Sequence, residues 1–163
     1  MSFQEMSSFY DWNVERKALS SDLGIHYDQM CSLFREKEWE TCVEQCKVVI
    51  ARAEHIIKTS FDFPKDHQDE FNVLNDKAMK EHSGALVYFA IGHVDLAYCM
   101  TMQISNIHTD FDADREGQGY FQKIIDNAVD IARKSMSDMA VPYHRKTVEY
   151  FLTRNHCLLN IDF

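Results

Sequence analysis

Only two prolines interrupt this chain, Pro64 and Pro142, and no run alternates apolar and polar residues long enough to insist on a strand. The helical period therefore governs almost every stretch. It is clearest over residues 33–50. Met30, Leu33 and Phe34 precede a charged run at 35–38, and Trp39, Cys42, Val43, Cys46, Val49 and Ile50 follow it on a new phase. Two phases separated by a polar corner read as two amphipathic helices folded back on each other. The fold class is all-α, built of five to six helices in antiparallel hairpins, and residues 1–163 form one domain. A domain of that length can bury roughly 70% of the surface of its extended chain without a disulfide or structural metal.

The rest of the chain divides by the same rules. A first helix is expected over residues 2–19, striped by Phe3, Met6, Phe9, Tyr10 and Val14, with Trp12 outside the stripe. This aromatic helix packs as core or cap, or docks a partner or a second copy of the chain. Ser20-Ser21-Asp22 reads as the start of the next helix, because short oxygen-bearing side chains cap the first free amides. The second arm of the hairpin runs over 38–58, and Phe61 and Phe63 pin the connection that contains Pro64. The pattern resumes near Asp66 with acids suited to the positive end of a helix. It continues through Phe71, Leu74, Ala78, Leu86, Phe89 and Ile91, and a break is expected at Ser83-Gly84 or at Gly92-His93. A further helix is expected over 119–137, with Ile124, Ile125, Ala128, Val129, Ile131 and Ala132 inward beside Phe121. Pro142 opens the last helix, where a proline is well tolerated, and Val148, Phe151 and Leu152 pack inward.

Charge and cysteine usage narrow the partners. Seventeen Lys and Arg against 26 Asp and Glu leave a net charge of −9. Nucleic acid and anionic membranes bind through clustered Lys and Arg, so neither is expected as a ligand. No stretch of about 18 uninterrupted apolar residues marks a membrane span, and the first residues lack the basic start and apolar run of a secretion signal. Five cysteines, Cys31, Cys42, Cys46, Cys99 and Cys157, sit inside apolar helical patterns as small buried hydrophobes do. A reducing compartment, cytoplasmic or nuclear, follows.

Two corners compare directly. Phe34-Arg35-Glu36-Lys37-Glu38-Trp39-Glu40-Thr41-Cys42 and Phe89-Ala90-Ile91-Gly92-His93-Val94-Asp95-Leu96-Ala97 both place an aromatic eight residues before a small side chain, with a large apolar one three before it. This resembles the tetratricopeptide repeat, over residues 25–57 and 79–111, in which the small residue lets two helices cross closely. Cys42 and Ala97 take that role, Trp39 and Val94 plug the crossings, and Gly92 matches the corner glycine where Lys37 does not. The two small residues are 55 apart against a period of about 34, so residues 59–77 would be an insertion. The other architecture the pattern allows is an irregular helical bundle. The resemblance implies a protein-binding module with a groove faced by Tyr27, Cys31, Phe34 and Arg35 from one unit and His82, Leu86, Phe89 and Ala90 from the other. Only Arg35 and His82 are available for the family's carboxylate clamp, so a peptide or helix held by hydrophobic contact is implied rather than a charged chain end. For Phe34, Leu86 and Phe89 ordinary core is the competing reading.

No catalytic signature or cofactor motif stands beside this. Asp110-Phe111-Asp112-Ala113-Asp114 opens like a calcium loop, but Arg115 holds the turn-glycine position and Phe121 that of the closing acid. No Glu-x-x-His or His-x-x-x-His pair occurs, as helical metal sites need. Cys42 and Cys46 alone are neither a zinc knuckle nor a redox pair and read as packing. Gly117-Gln118-Gly119 follows no strand, which fails the context of a phosphate loop. The function expected is an intracellular adaptor or regulatory subunit holding a partner peptide or helix through Tyr27, Phe34, Arg35, His82, Leu86 and Phe89. The alternative is a helical-bundle enzyme or a small-ligand or metal-binding protein, with a site around His82, His93 and Asp95 joined by Tyr98. Homo-oligomerisation through the N-terminal aromatic helix is a third.

Overall fold

The computed structural model describes residues 3–63, 71–107 and 115–159, and the backbone alone for 3–10, 104–107, 115–121 and 154–159. Five helices fill the described residues and no strand occurs among them: α1 (Phe3–Arg35), α2 (Trp39–Thr59), α3 (Phe71–Ile107), α4 (Arg115–Ser137) and α5 (Pro142–Leu159). Helix α3 is the axis. It packs on α2, α4 and α5 and touches α1, while α1 lies mainly on α2. A helix with neighbours on so many sides must be apolar nearly all round. That accounts for a segment, Phe71–Gln103, long and apolar enough to cross a membrane yet with 56% of its most apolar window buried in the bundle.

The corner between α1 and α2 falls where the change of phase puts it. The Glu38 amide donates to the Leu33 carbonyl at 3.0 Å and the Lys37 amide to that of Phe34 at 3.2 Å, which is the Schellman closure of a helix. The residue in the left-handed position is Lys37, with φ of 59°. A glycine would sit there without the cost of about 1 kcal/mol that a Cβ brings.

Two expected breaks are absent. Ser20-Ser21-Asp22 lies inside α1, which runs unbroken for 33 residues. The Asp22 carboxylate serves side chains rather than backbone amides: it lies 3.4 Å from His26 Nε2 and 3.4 Å from Arg52 Nε on α2. Neither Ser83-Gly84 nor Gly92-His93 breaks α3, so the expected corner at Gly92 is continuous helix. Ser83 is buried and pins the α4–α5 corner. The Val141 amide donates to its Oγ at 3.2 Å, and Oγ lies 2.7 Å from His144 Nδ1. Gly92 permits close approach: a Cβ there would lie 2.9 Å from Ile50 Cγ1.

The core follows the expected faces. Cys42, Cys46, Val49, Ala53 and Ile56 of α2 share one core with Ala85, Ala90, Ile91, Val94 and Cys99 of α3, Ile125, Val129 and Ala132 of α4 and Val148 and Leu152 of α5. Cys42 and Ala97, the small residues of the two compared segments, are both buried. At the N-terminus the stripe shifts. Val14 is 49% exposed, and Trp12 packs on Phe63, with ring centres 6.1 Å apart. Phe63 sits with Leu74 and Ala78 in a second small core, whereas Phe61 is exposed, with the His82 ring 5.4 Å away. The side chains of Phe3, Met6, Phe9, Tyr10 and Phe121 and the whole of 110–114 lie outside the described residues.

One buried cation fastens three helices. Arg16 is 6% exposed. Its guanidinium forms an ion pair with Glu81 of α3, donating from Nε at 2.9 Å and also from Nη2. It donates as well to Thr59 Oγ1 at 2.6 Å and to the Ile56 carbonyl at 3.2 Å, and it lies over the Trp12 ring. Ser60 Oγ adds a 3.1 Å bond to Glu81. Removing one partner of such a pair strands the other, at a cost of about 3–5 kcal/mol, whereas an apolar pair of similar volume is often tolerated. Arg16→Ala is therefore expected to lower unfolding stability by about 3 kcal/mol or more, and Arg16→Met with Glu81→Leu to recover most of it in denaturant titration.

The glycines give a second check. Nothing lies within 4 Å of a Cβ built on Gly24, so Gly24→Ala should stabilise by about 1 kcal/mol from helix propensity alone. Gly92→Ala gains the same propensity but drives a methyl into Ile50, an overpacking cost of about 1–3 kcal/mol, so it should destabilise. In an Ile50→Ala background its sign should reverse, which a double-mutant cycle reads directly.

Candidate functional site

The C-terminal half of α1 carries two faces. Leu23, Tyr27, Met30 and Phe34 recur at helical spacing and turn inward. Leu23 and Met30 are fully buried, the Tyr27 ring stands edge-on to Tyr88 at 4.8 Å, and Phe34 packs with Trp39 and Tyr98 at 5.6 and 5.0 Å. The opposite face is a ridge of Asp28, Ser32 and Arg35 with Ile25 beside it, and Ile25 is 59% exposed.

Clefts lie on both sides of that ridge. The larger, about 540 Å³, runs between α1 and α2 and is lined by Ile25, Asp28, Gln29, Ser32, Leu33 and Gln45. Gln45 forms its floor: its amide donates to the His26 carbonyl at 3.0 Å and to Gln29 Oε1 at 3.3 Å. The smaller, about 370 Å³, lies where α1, α3 and α5 meet. It joins Cys31, Phe34 and Arg35 to Asp95 and Phe151, and shares Asp28 and Ser32 with the first. Asp95 is 2% exposed and places a carboxylate in its wall. Burial pushes the Cys31 thiol up, partly offset by its hydrogen bond with Tyr27, and burial followed by Cys31 pushes the Tyr27 hydroxyl up. Both groups therefore stay neutral near pH 7, and neither is an activated nucleophile.

The expected groove residues do not all converge. Phe34 and Arg35 share the smaller cleft with Cys31, and Tyr27 lies just behind it. Leu86 and Ala90 are buried core. Phe89 is half-buried against His93, with ring centres 4.7 Å apart, and His82 stands by Phe61 about two turns back along α3. The alternative site does not assemble either. His82 and His93 are about three turns apart along α3, and His93 lies near Glu54 of α2 while Asp95 faces the cleft beside Phe34. Ile25, Asp28, Ser32 and Gln45 line the clefts without belonging to any motif in the sequence. The available signal was Ile25 itself, an aliphatic side chain out of phase with Leu23, Tyr27, Met30 and Phe34.

Two histidines are held below their ordinary range, His93 by burial against the opposing pull of Glu54, and His144 by burial. Ser83 Oγ, which accepts from the Val141 amide, also lies 2.7 Å from His144 Nδ1, so the imidazole is held at the α4–α5 corner. The unfolded chain takes up these protons first, so the stability held in the neutral rings is full above about pH 6.5 and is lost as pH falls below it. Denaturation midpoints should drop between about pH 7 and pH 5, and His144→Asn, which keeps a hydrogen-bonding group near Ser83 but cannot titrate, should make that drop shallower.

Comparison with known protein families, with characterised proteins and with solved structures finds no match to this chain.

Proposed function

We propose that this chain is a protein-interaction module, an adaptor or regulatory subunit, that takes a partner helix or peptide across the C-terminal half of α1. The observation that carries this is the pair of clefts flanking one ridge and sharing Asp28 and Ser32, with Ile25 left in water beside them. Sites for small ligands enclose most of the ligand surface. Both clefts here open to solvent on either side of a helix, a shape suited to a segment that straddles the ridge and places a side chain in each.

The lining indicates the chemistry of the segment. Ile25 and Leu33 offer an apolar seat in the larger cleft. The smaller cleft is lined by Asp28, Asp95 and Arg35 together with the Phe34 and Phe151 rings, two carboxylates to one guanidinium, a lining that favours a basic side chain through net carboxylate attraction and cation–π contact. A net charge of −9 draws such a partner in and repels acidic ones. The seat is therefore apolar and acidic together, where the sequence alone implied hydrophobic contact.

Ile25→Glu should reduce recovery of the partner at least about tenfold in a quantitative affinity purification, as loss of a central anchor does, while leaving stability within about 0.5 kcal/mol because the position is already exposed. Val73→Glu, at a position equally exposed on α3, should leave recovery unchanged. Equal losses in the two variants, or none in either, would sink the proposal.

A further inference from the structure

The seam between α2 and α3 holds a chemical group that packing alone does not require. Cys42 and Cys46, one turn apart on the same face of α2, meet Cys99 of α3, and the three sulfur atoms lie within 4.8 Å of one another. All three residues are fully shielded from solvent. Cys42 Sγ also lies 3.7 Å from the Met30 carbonyl, so the cluster sits where α1, α2 and α3 meet.

Three thiolates around an ion at bonds of about 2.3 Å stand about 4 Å apart when the ion lies in their plane, and closer when it lies above it. The spacing here admits either arrangement, and the atoms displaced are the three thiol hydrogens. Hydrogen bonds link the three thiols to one another, Cys42 to Cys46 and to Cys99 and Cys46 to Cys99.

Charge decides which ion suits so dry a place. Three thiolates leave a net −1 around zinc(II), which also wants a fourth ligand, and −2 around copper(I). An uncompensated charge in an apolar interior costs several kcal/mol. A trivalent ion gives a neutral complex. We infer that Cys42, Cys46 and Cys99 form a binding site for a trivalent thiophilic ion of the arsenic(III) class, taken up as a neutral tris-thiolate that ties α2 to α3. The exchange is not a redox step. Arsenous acid loses three hydroxyls as water, three S–H and three As–O bonds break, three As–S and three O–H bonds form, and arsenic remains +3.

The probe is arsenite, added to the reduced full-length chain both folded and during refolding from denaturant, so that slow entry into the core does not mask binding. Expected are one arsenic per chain, a mass gain of one arsenic less three hydrogens, three sulfur neighbours around arsenic in X-ray absorption, and a melting temperature raised by about 5 °C or more at roughly a hundredfold excess over Kd. Cys99→Ala should lose the three-sulfur adduct and Cys31→Ala should keep it. Should Cys99→Ala fail to fold, the sulfur count and melting shift of the native sequence decide. No adduct by either route, fewer than three sulfurs, a lowered melting temperature, or a three-sulfur adduct persisting in folded Cys99→Ala would each overturn the assignment.

Discussion

The close approach of α2 to α3 is the constraint on which the other contacts rest. Two helix backbones come near enough that Gly92 has no room for a Cβ against Ile50, and small side chains fall on the same two faces: Cys42, Cys46 and Ala53 on α2, Ala85 and Cys99 on α3. Small residues on facing ridges let helices interlock deeply, and dispersion contacts multiply as the gap closes. With α3 fixed at the centre, α4 and α5 cover its remaining faces, and Ser83 sets where their corner sits by bonding the Val141 amide and His144. The outer helix, α1, is placed by α2 far more than by α3.

That leaves the rotation of α1 to be specified by something other than the main core. Arg16 does so. A long helix lying on one neighbour slides and rolls at little cost when its contacts are only apolar, because apolar burial has no direction. The guanidinium fork has direction: its donors meet Glu81, Thr59 and the Ile56 carbonyl at once, and only one setting of α1 satisfies them. At the other end the Lys37 corner and the Gln45 amide bonds to His26 and Gln29 hold the same setting. The Ile25–Arg35 ridge is held outward as a consequence.

Much of the architecture was legible in the residues. The all-helical class, the corner after Phe34, the helix opened by Pro142 and the inward face of Ile125, Ala128, Val129 and Ala132 all follow from periodicity and proline placement. What misled was punctuation. Ser20-Ser21-Asp22, Ser83-Gly84 and Gly92 have the chemistry of helix ends, yet each is spent on a tertiary neighbour: Asp22 on Arg52, Ser83 on His144, Gly92 on Ile50. Local rules cannot see a partner that arrives from 30 or more residues away. The same blindness separates the candidate sites. Phe34 and Arg35 were legible because they adjoin the corner, but Asp95 and Phe151 join their cleft only through the packing of α3 and α5. Cys42 and Cys46 read as mere packing until Cys99 completes the cluster.

The ridge and the thiol cluster lie on opposite sides of one helix wall. Met30 faces inward, its carbonyl 3.7 Å from Cys42 Sγ, while Asp28, Ser32 and Ile25 face out from the neighbouring turns. A substitution at Ile25 leaves the packing around the sulfurs untouched, and loss of one thiol at the α2–α3 seam removes no group from either cleft. The two are nevertheless mechanically joined, because α1 over this stretch rests on α2 beside Cys42. An ion that locked α2 to α3 would stiffen the floor on which the ridge stands without entering it.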